Sequence, residues 1–123
     1  MLKQESIIYT KMLEVAKWLF DCVNTFPKKQ RFVLGQQIEN STLAVIRLII
    51  EANGARSPEM SLQKLEVLNT ELEVLRSLLR IAHGIGFLKV SSLGYIVSQI
   101  DEVGKMRGGW AKRYKSSKSD VWT

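Results

Sequence analysis

Apolar residues recur along this chain at alternating steps of three and four, the spacing of a helix with one buried stripe. Ile8, Met12, Val15, Leu19, Cys22 and Phe26 follow it and predict a first helix over about 6–26. Beyond Pro27, the residues Leu34, Ile38, Val45, Ile49 and Ala52, widened by Ile46 and Ile50, predict a second over about 29–52, which Asn53-Gly54 stops. Ser57-Pro58-Glu59 combines a capping hydroxyl, a proline suited to the first helical position and an early acid, so a third helix starts there. Its stripe, Leu65, Leu68, Leu72, Leu75, Leu79 and Ala82, runs to a stop near His83-Gly84. Gly84 and Gly86 interrupt the pattern. Ser91 or Ser92 then caps a fourth helix carrying Leu93, Ile96, Ile100, Val103, Met106 and Trp110.

No alternation of period two competes with these four patterns, and the connections are short. The expected fold is all-α: an up-down-up-down four-helix bundle in one domain over 1–115, with a flexible polar tail over 116–123. Four facing stripes make one core, yet Leu78, Ile81, Ile85, Phe87, Trp18 and Phe20 exceed what it needs. That surplus points to self-association.

Eighteen Lys and Arg against 12 Asp and Glu give a net charge of +6, which suits a polyanionic partner such as RNA or DNA. The distribution is uneven. Lys105, Arg107, Lys112, Arg113, Lys115 and Lys118 follow one another without an acid between Val103 and Ser119; Lys28, Lys29 and Arg31 cluster at the second helix, and Arg76 and Arg80 stand one turn apart on the third. Trp110 and Tyr114 continue the fourth apolar stripe, so packing is their first use and base stacking the alternative. Gly104, Gly108 and Gly109 inside that helix cost about 1 kcal/mol each relative to alanine, which calls for close approach of another helix or subunit beside Trp110, or for a fraying end.

Catalytic chemistry finds little support, and the expectation is a non-enzyme without cofactor or metal. The lone histidine, His83, follows Arg80 rather than the glutamate that a di-iron Glu-x-x-His pair needs, and its place at a helix end suits a C-terminal cap. Cys22 lies on an apolar stripe, where a thiol has a raised pKa and no disulfide partner; this favours a reducing, cytoplasmic setting. Gly84-Ile85-Gly86 lacks the strand of a phosphate-binding loop, and Asn40-Ser41-Thr42 falls inside a helix. One enzymatic alternative remains, an all-helical protein clamping an anionic ligand around Arg47 in its apolar run; pairing of Arg47 with Glu51 is the simpler account. The most apolar stretch, 43–50, is interrupted by Arg47 and falls short of the roughly 18 residues that a membrane span requires.

The segment from Phe26 through Pro27, Lys28, Lys29, Gln30, Arg31, Phe32, Val33, Leu34, Gly35, Gln36 and Gln37 to Ile38 resembles the helix-one to helix-two junction of the four-helix-bundle family that includes proteins encoded in intervening sequences of bacterial 23S ribosomal RNA genes. Leu75–His83 and Glu102–Trp110 look more closely like one branch, the accessory variability determinant (Avd) of diversity-generating retroelements, and the similarity spans about Tyr9 to Tyr114. The resemblance implies a homopentameric barrel of bundles with a basic surface. It would bind the element's reverse transcriptase and template RNA during error-prone cDNA synthesis in mutagenic retrohoming, while the polymerase holds the catalytic carboxylates and metal. By position, Arg76 and Arg80 match the basic pair of the family's corresponding helix, followed by Lys28, Lys29 and Arg31; Ser77 departs from the bulkier aromatics of some relatives. A general RNA- or protein-binding role, as for the intervening-sequence proteins, is the second reading.

Overall fold

A computed structural model describes the backbone of residues 3–122 and the side chains of residues 7–115. Five α-helical segments and one π-helical turn follow in order: α1 (Lys3–Asn24), α2 (Lys28–Gln30), the π turn (Arg31–Gly35), α3 (Gln36–Asn53), α4 (Pro58–Gly84) and α5 (Val90–Trp122). Gln30, Arg31, Gly35 and Gln36 all hold right-handed helical dihedrals, so α2, the π turn and α3 form one continuous rod. The described residues therefore make four rods and no strand. The tail expected over 116–123 falls on residues whose side chains lie outside the described ones.

Side-chain pairs across the rods define the topology. Ser41 bonds Glu71 while Glu51 pairs with Lys64, so residue numbers rise on α3 as they fall on α4. Arg76 reaches Asp101 and Arg107 reaches Glu66, making α4 and α5 antiparallel; Lys11 meets Gln99 and Trp18 meets Tyr95, closing α1 onto α5 in the same sense. Each rod thus packs on its sequence neighbours, with α1 and α5 completing the up-down-up-down square.

Inside that square, Leu65, Leu68, Leu72, Leu75, Leu79 and Ala82 are fully buried, opposed by Ile8, Met12, Leu19, Ile38, Ile49, Ile96, Ile100 and Trp110. On α1 the last turns differ from the expected stripe: Val23 takes the core position and Cys22 is half-buried. A helix of 3.6 residues per turn drifts about 20° per seven-residue repeat, so by the fifth position Cys22 stands no nearer the stripe than Val23, and the valine takes the core place. Phe26 is buried as expected but lies beyond the helix. Thr25 and Phe26 donate backbone hydrogen bonds to Cys22 and Val23, and extended Pro27 (φ −53°, ψ 142°) ends the rod.

The buried hydroxyls are all satisfied: Thr42 donates to the Ile38 carbonyl (2.7 Å), Ser61 to the Ala52 carbonyl (2.9 Å) and Ser41 to the Glu71 carboxylate (2.7 Å). Ser57 caps α4 as its sequence indicates, accepting from the Met60 backbone N–H at 3.2 Å, with Pro58 at the first helical position.

The π turn sets the register of the second rod. Arg31 lies seven residues before the fully buried Ile38, so in an uninterrupted α-helix both would point into the core. One extra residue in the turn rotates everything before it. Arg31, Phe32 and Val33 become exposed, and Gln30 takes the half-buried place. The turn ends on buried Gly35, where a Cβ would stand 2.6 Å from Val23 Cγ1. Gly35→Ala should therefore destabilise the bundle by about 1–3 kcal/mol in urea unfolding despite alanine's better helix propensity. Combining it with Val23→Ala should cost less than the two single changes added together. A G35A chain as stable as the parent would show that Val23 yields freely.

Candidate nucleic-acid interface

The α1–α2 and α4–α5 connections meet at one end of the square, where the rings of Phe26 and Phe87 lie 5.9 Å apart. The second connection is braced by His83, whose Nδ1 lies 2.8 Å from the Leu88 carbonyl. A carbonyl only accepts, so Nδ1 carries the proton. His83 thus spans the loop instead of capping the last carbonyls of α4, which receive backbone N–H groups from Ile85 and Gly86. Gly86 takes φ +88°, a conformation natural to glycine.

Cations crowd this end. Lys28, Lys29 and Arg31 stand on α2 and the π turn, Arg80 on the last turns of α4 and Lys89 in the connection before α5, all exposed. None of the five has a carboxylate partner among the described residues. Lys89 is a candidate missed by the sequence reading, because a single lysine in a loop has no clustering to mark it.

Arg76 is placed differently from Arg80, although the two are one turn apart. Its side chain is 12% exposed; Nε donates to Asp101 at 2.9 Å, and Nη1 donates to Glu73. Gly104 explains itself here, since a Cβ on it would lie 3.3 Å from Arg76 Nη2 and 3.9 Å from Leu72. The guanidinium ties α4 to α5, and Arg80 remains the available charge of the pair.

The basic run on α5 is also partly paired. Arg107 is mostly buried and paired with Glu66 at 3.8 Å, Lys115 reaches the same carboxylate at 3.8 Å, and Lys105 lies 3.9 Å from Glu102. Lys112 is exposed, and Arg113 makes an interaction of its own. One acid that sequence order puts about forty residues away on α4, Glu66, thus stands over this cluster. Trp110 is fully buried in its own chain, so its ring offers no face to a base or a second subunit; its Nε1 and Arg107 Nε have no partner among the described residues. Gly108 has open space around a would-be Cβ, Gly109 is half-buried and Tyr114 packs partly against the core.

Arg47 is exposed in an open depression with Asn40, Leu43, Ala44, Ile46, Ile50 and Glu51, with no second cation in the lining. Glu51 pairs with Lys64 at 3.6 Å rather than with Arg47. Burial raises the Cys22 thiol above its ordinary pKa by desolvation. No group of three His, Cys, Asp or Glu among the described residues is arranged to hold a metal, and no described helix is long and apolar enough to cross a membrane.

Of the expected surplus, Trp18, Leu78 and Phe87 pack partly against the core and Phe20 is half-buried, while Ile81 and Ile85 stay exposed; on the outer face of α4, Met60, Val67 and Val74 recur with Ile81 every seven residues and are exposed too. Leu43 and Ile50 extend the apolar surface on neighbouring α3.

The contrast between the two arginines is measurable. Arg76→Ala should lower unfolding stability by about 1 kcal/mol, because charge-assisted bonds to half-exposed carboxylates are worth roughly that, whereas Arg80→Ala should stay within about 0.5 kcal/mol. Equal effects in chemical denaturation would count against the assigned division.

A family model described as bAvd-like matches residues 6–114. No curated protein matches the chain. Among solved structures, the crystal structure of a protein with unknown function from the S23 ribosomal protein family of Bacteroides thetaiotaomicron VPI-5482 superimposes with a TM-score of 0.81 at 21% identity, covering 89% of this chain and 98% of that one. At that identity the likeness concerns the four-helix fold. The family match, by contrast, takes in most of every rod, and the chain belongs to the bAvd-like family.

Proposed function

We propose that this protein is the non-catalytic accessory subunit of a diversity-generating retroelement, assembling as a homopentamer and binding the element's reverse transcriptase and template RNA through its basic surface. Membership of the bAvd-like family carries the reading. The geometry supports it through the unpaired end formed by Lys28, Lys29, Arg31, Arg80 and Lys89, where phosphates or a polymerase's acids find cations not already neutralised. The apolar outer face of α4 supplies a surface for the neighbouring copy. A general RNA- or protein-binding role is the second reading, compatible with the fold shared with the S23 family protein.

Two measurements test this. Light scattering should return a multiple of the 14.0 kDa chain mass, with five copies expected; a 14.0 kDa particle at micromolar concentration rejects assembly. The variant with Lys28, Lys29, Arg31 and Arg80 all changed to alanine should keep that mass and lose most capture of polymerase and RNA. Undiminished capture would remove the basic end from the interface. A reverse-transcriptase gene beside paired variable and template repeats near this gene separates the retroelement reading from the general one.

A further inference from the structure

Phe32 is 70% exposed, more than any other aromatic side chain among the described residues. Trp110 is buried, Phe26 and Phe87 face each other, and Trp18 is half-buried against Tyr95 with centroids 5.7 Å apart. Its exposure follows from the π turn, which rotates Arg31, Phe32 and Val33 away from the core face set by Ile38. The ring does not stand alone. It lines a depression of about 240 Å³ together with Lys28, Arg31, Asn24, Gln36, Glu39 and Val23.

That combination matches the parts of a nucleotide. An aromatic ring offers a stacking face to a base, two cations flank it at the reach of phosphates, and amide and carboxylate groups can bond the base edge. Gln36 Nε2 donates to Asn40 at 3.3 Å, which leaves the Gln36 carbonyl oxygen as an acceptor on the rim. Glu39 opposes a phosphate but accepts from a base amino group. We propose that Phe32 is a stacking platform for an unpaired base, with Lys28 and Arg31 on the adjoining phosphates, so that this end of the bundle selects single-stranded nucleic acid over duplex. The inference rests on the nucleic-acid-binding reading above and names the form of polyanion it takes. In a duplex the base faces are occupied by their neighbours, and Phe32 has nothing to stack on. A two-fold contact of this face with itself would set Lys28, Lys29 and Arg31 of one copy against those of the other, a repulsive arrangement.

Fluorescence anisotropy with the full chain, using a labelled oligouridine and a duplex RNA of equal length, tests the assignment. The parent should bind the single strand more tightly than the duplex. Phe32→Ala and Phe32→Leu should each weaken single-strand binding by about 5- to 150-fold, the range for loss of one base–aromatic stack, and leave duplex binding unchanged. Phe32→Trp should retain it. Lys28→Ala with Arg31→Ala should weaken both ligands and flatten the salt dependence. If the parent binds oligouridine and both F32A and F32L bind it equally well, the platform is refuted while the nucleic-acid reading stands. If the parent binds neither ligand, the reading itself fails. A fall in molar mass of F32A by light scattering would assign Phe32 to a contact between copies and overturn the proposal.

Discussion

The contact between Gly35 and Val23 constrains the second rod more than any other. With space for no Cβ between them, α1 and the π turn approach closely, and the helix must accommodate one extra residue at that point. Arg31, Phe32 and Val33 turn outward, next to the exposed Lys28 and Lys29. A backbone irregularity and a single absent methyl group thus decide which side chains reach solvent at this end. The leucine stripe of α4 provides the burial that holds the bundle together, but it leaves the orientation of residues 28–33 undetermined.

Most of the fold was readable from periodicity because each rod has a dense apolar stripe and the punctuation is chemically unambiguous. Pro27, Ser57-Pro58 and Gly84 stand at or beside the observed rod ends. The misreadings are those that a linear pattern produces. Cys22 exchanged places with Val23 because the true helical period is 3.6, and the π turn escaped because Arg31-Phe32-Val33 reads as an untidy stretch of an ordinary helix. In retrospect, two adjacent apolar residues off the stripe and an arginine on it were the available signal.

Charge proved harder to place than apolar residues, since a cation's partner is set by tertiary proximity. The run on α5 looks acid-free along the chain, yet Glu66 of α4 stands against it in space. Net charge reports the whole molecule, whereas available charge depends on which residues have already found carboxylates. The densest basic run along the chain and the available cations lie toward opposite ends of this bundle.

Gly104 and Arg76 have a consequence for how such a sequence can change over time. The glycine makes room for a guanidinium that bridges α4 and α5, so the two positions are linked by volume as well as by charge. A side chain at 104 would crowd the arginine from its place between Glu73 and Asp101, and a shorter residue at 76 would remove the reason for a glycine that weakens its helix. Across divergent members of the family, these two positions should therefore drift together: arginine where the opposing helix has no Cβ, and a smaller or apolar residue where it has one.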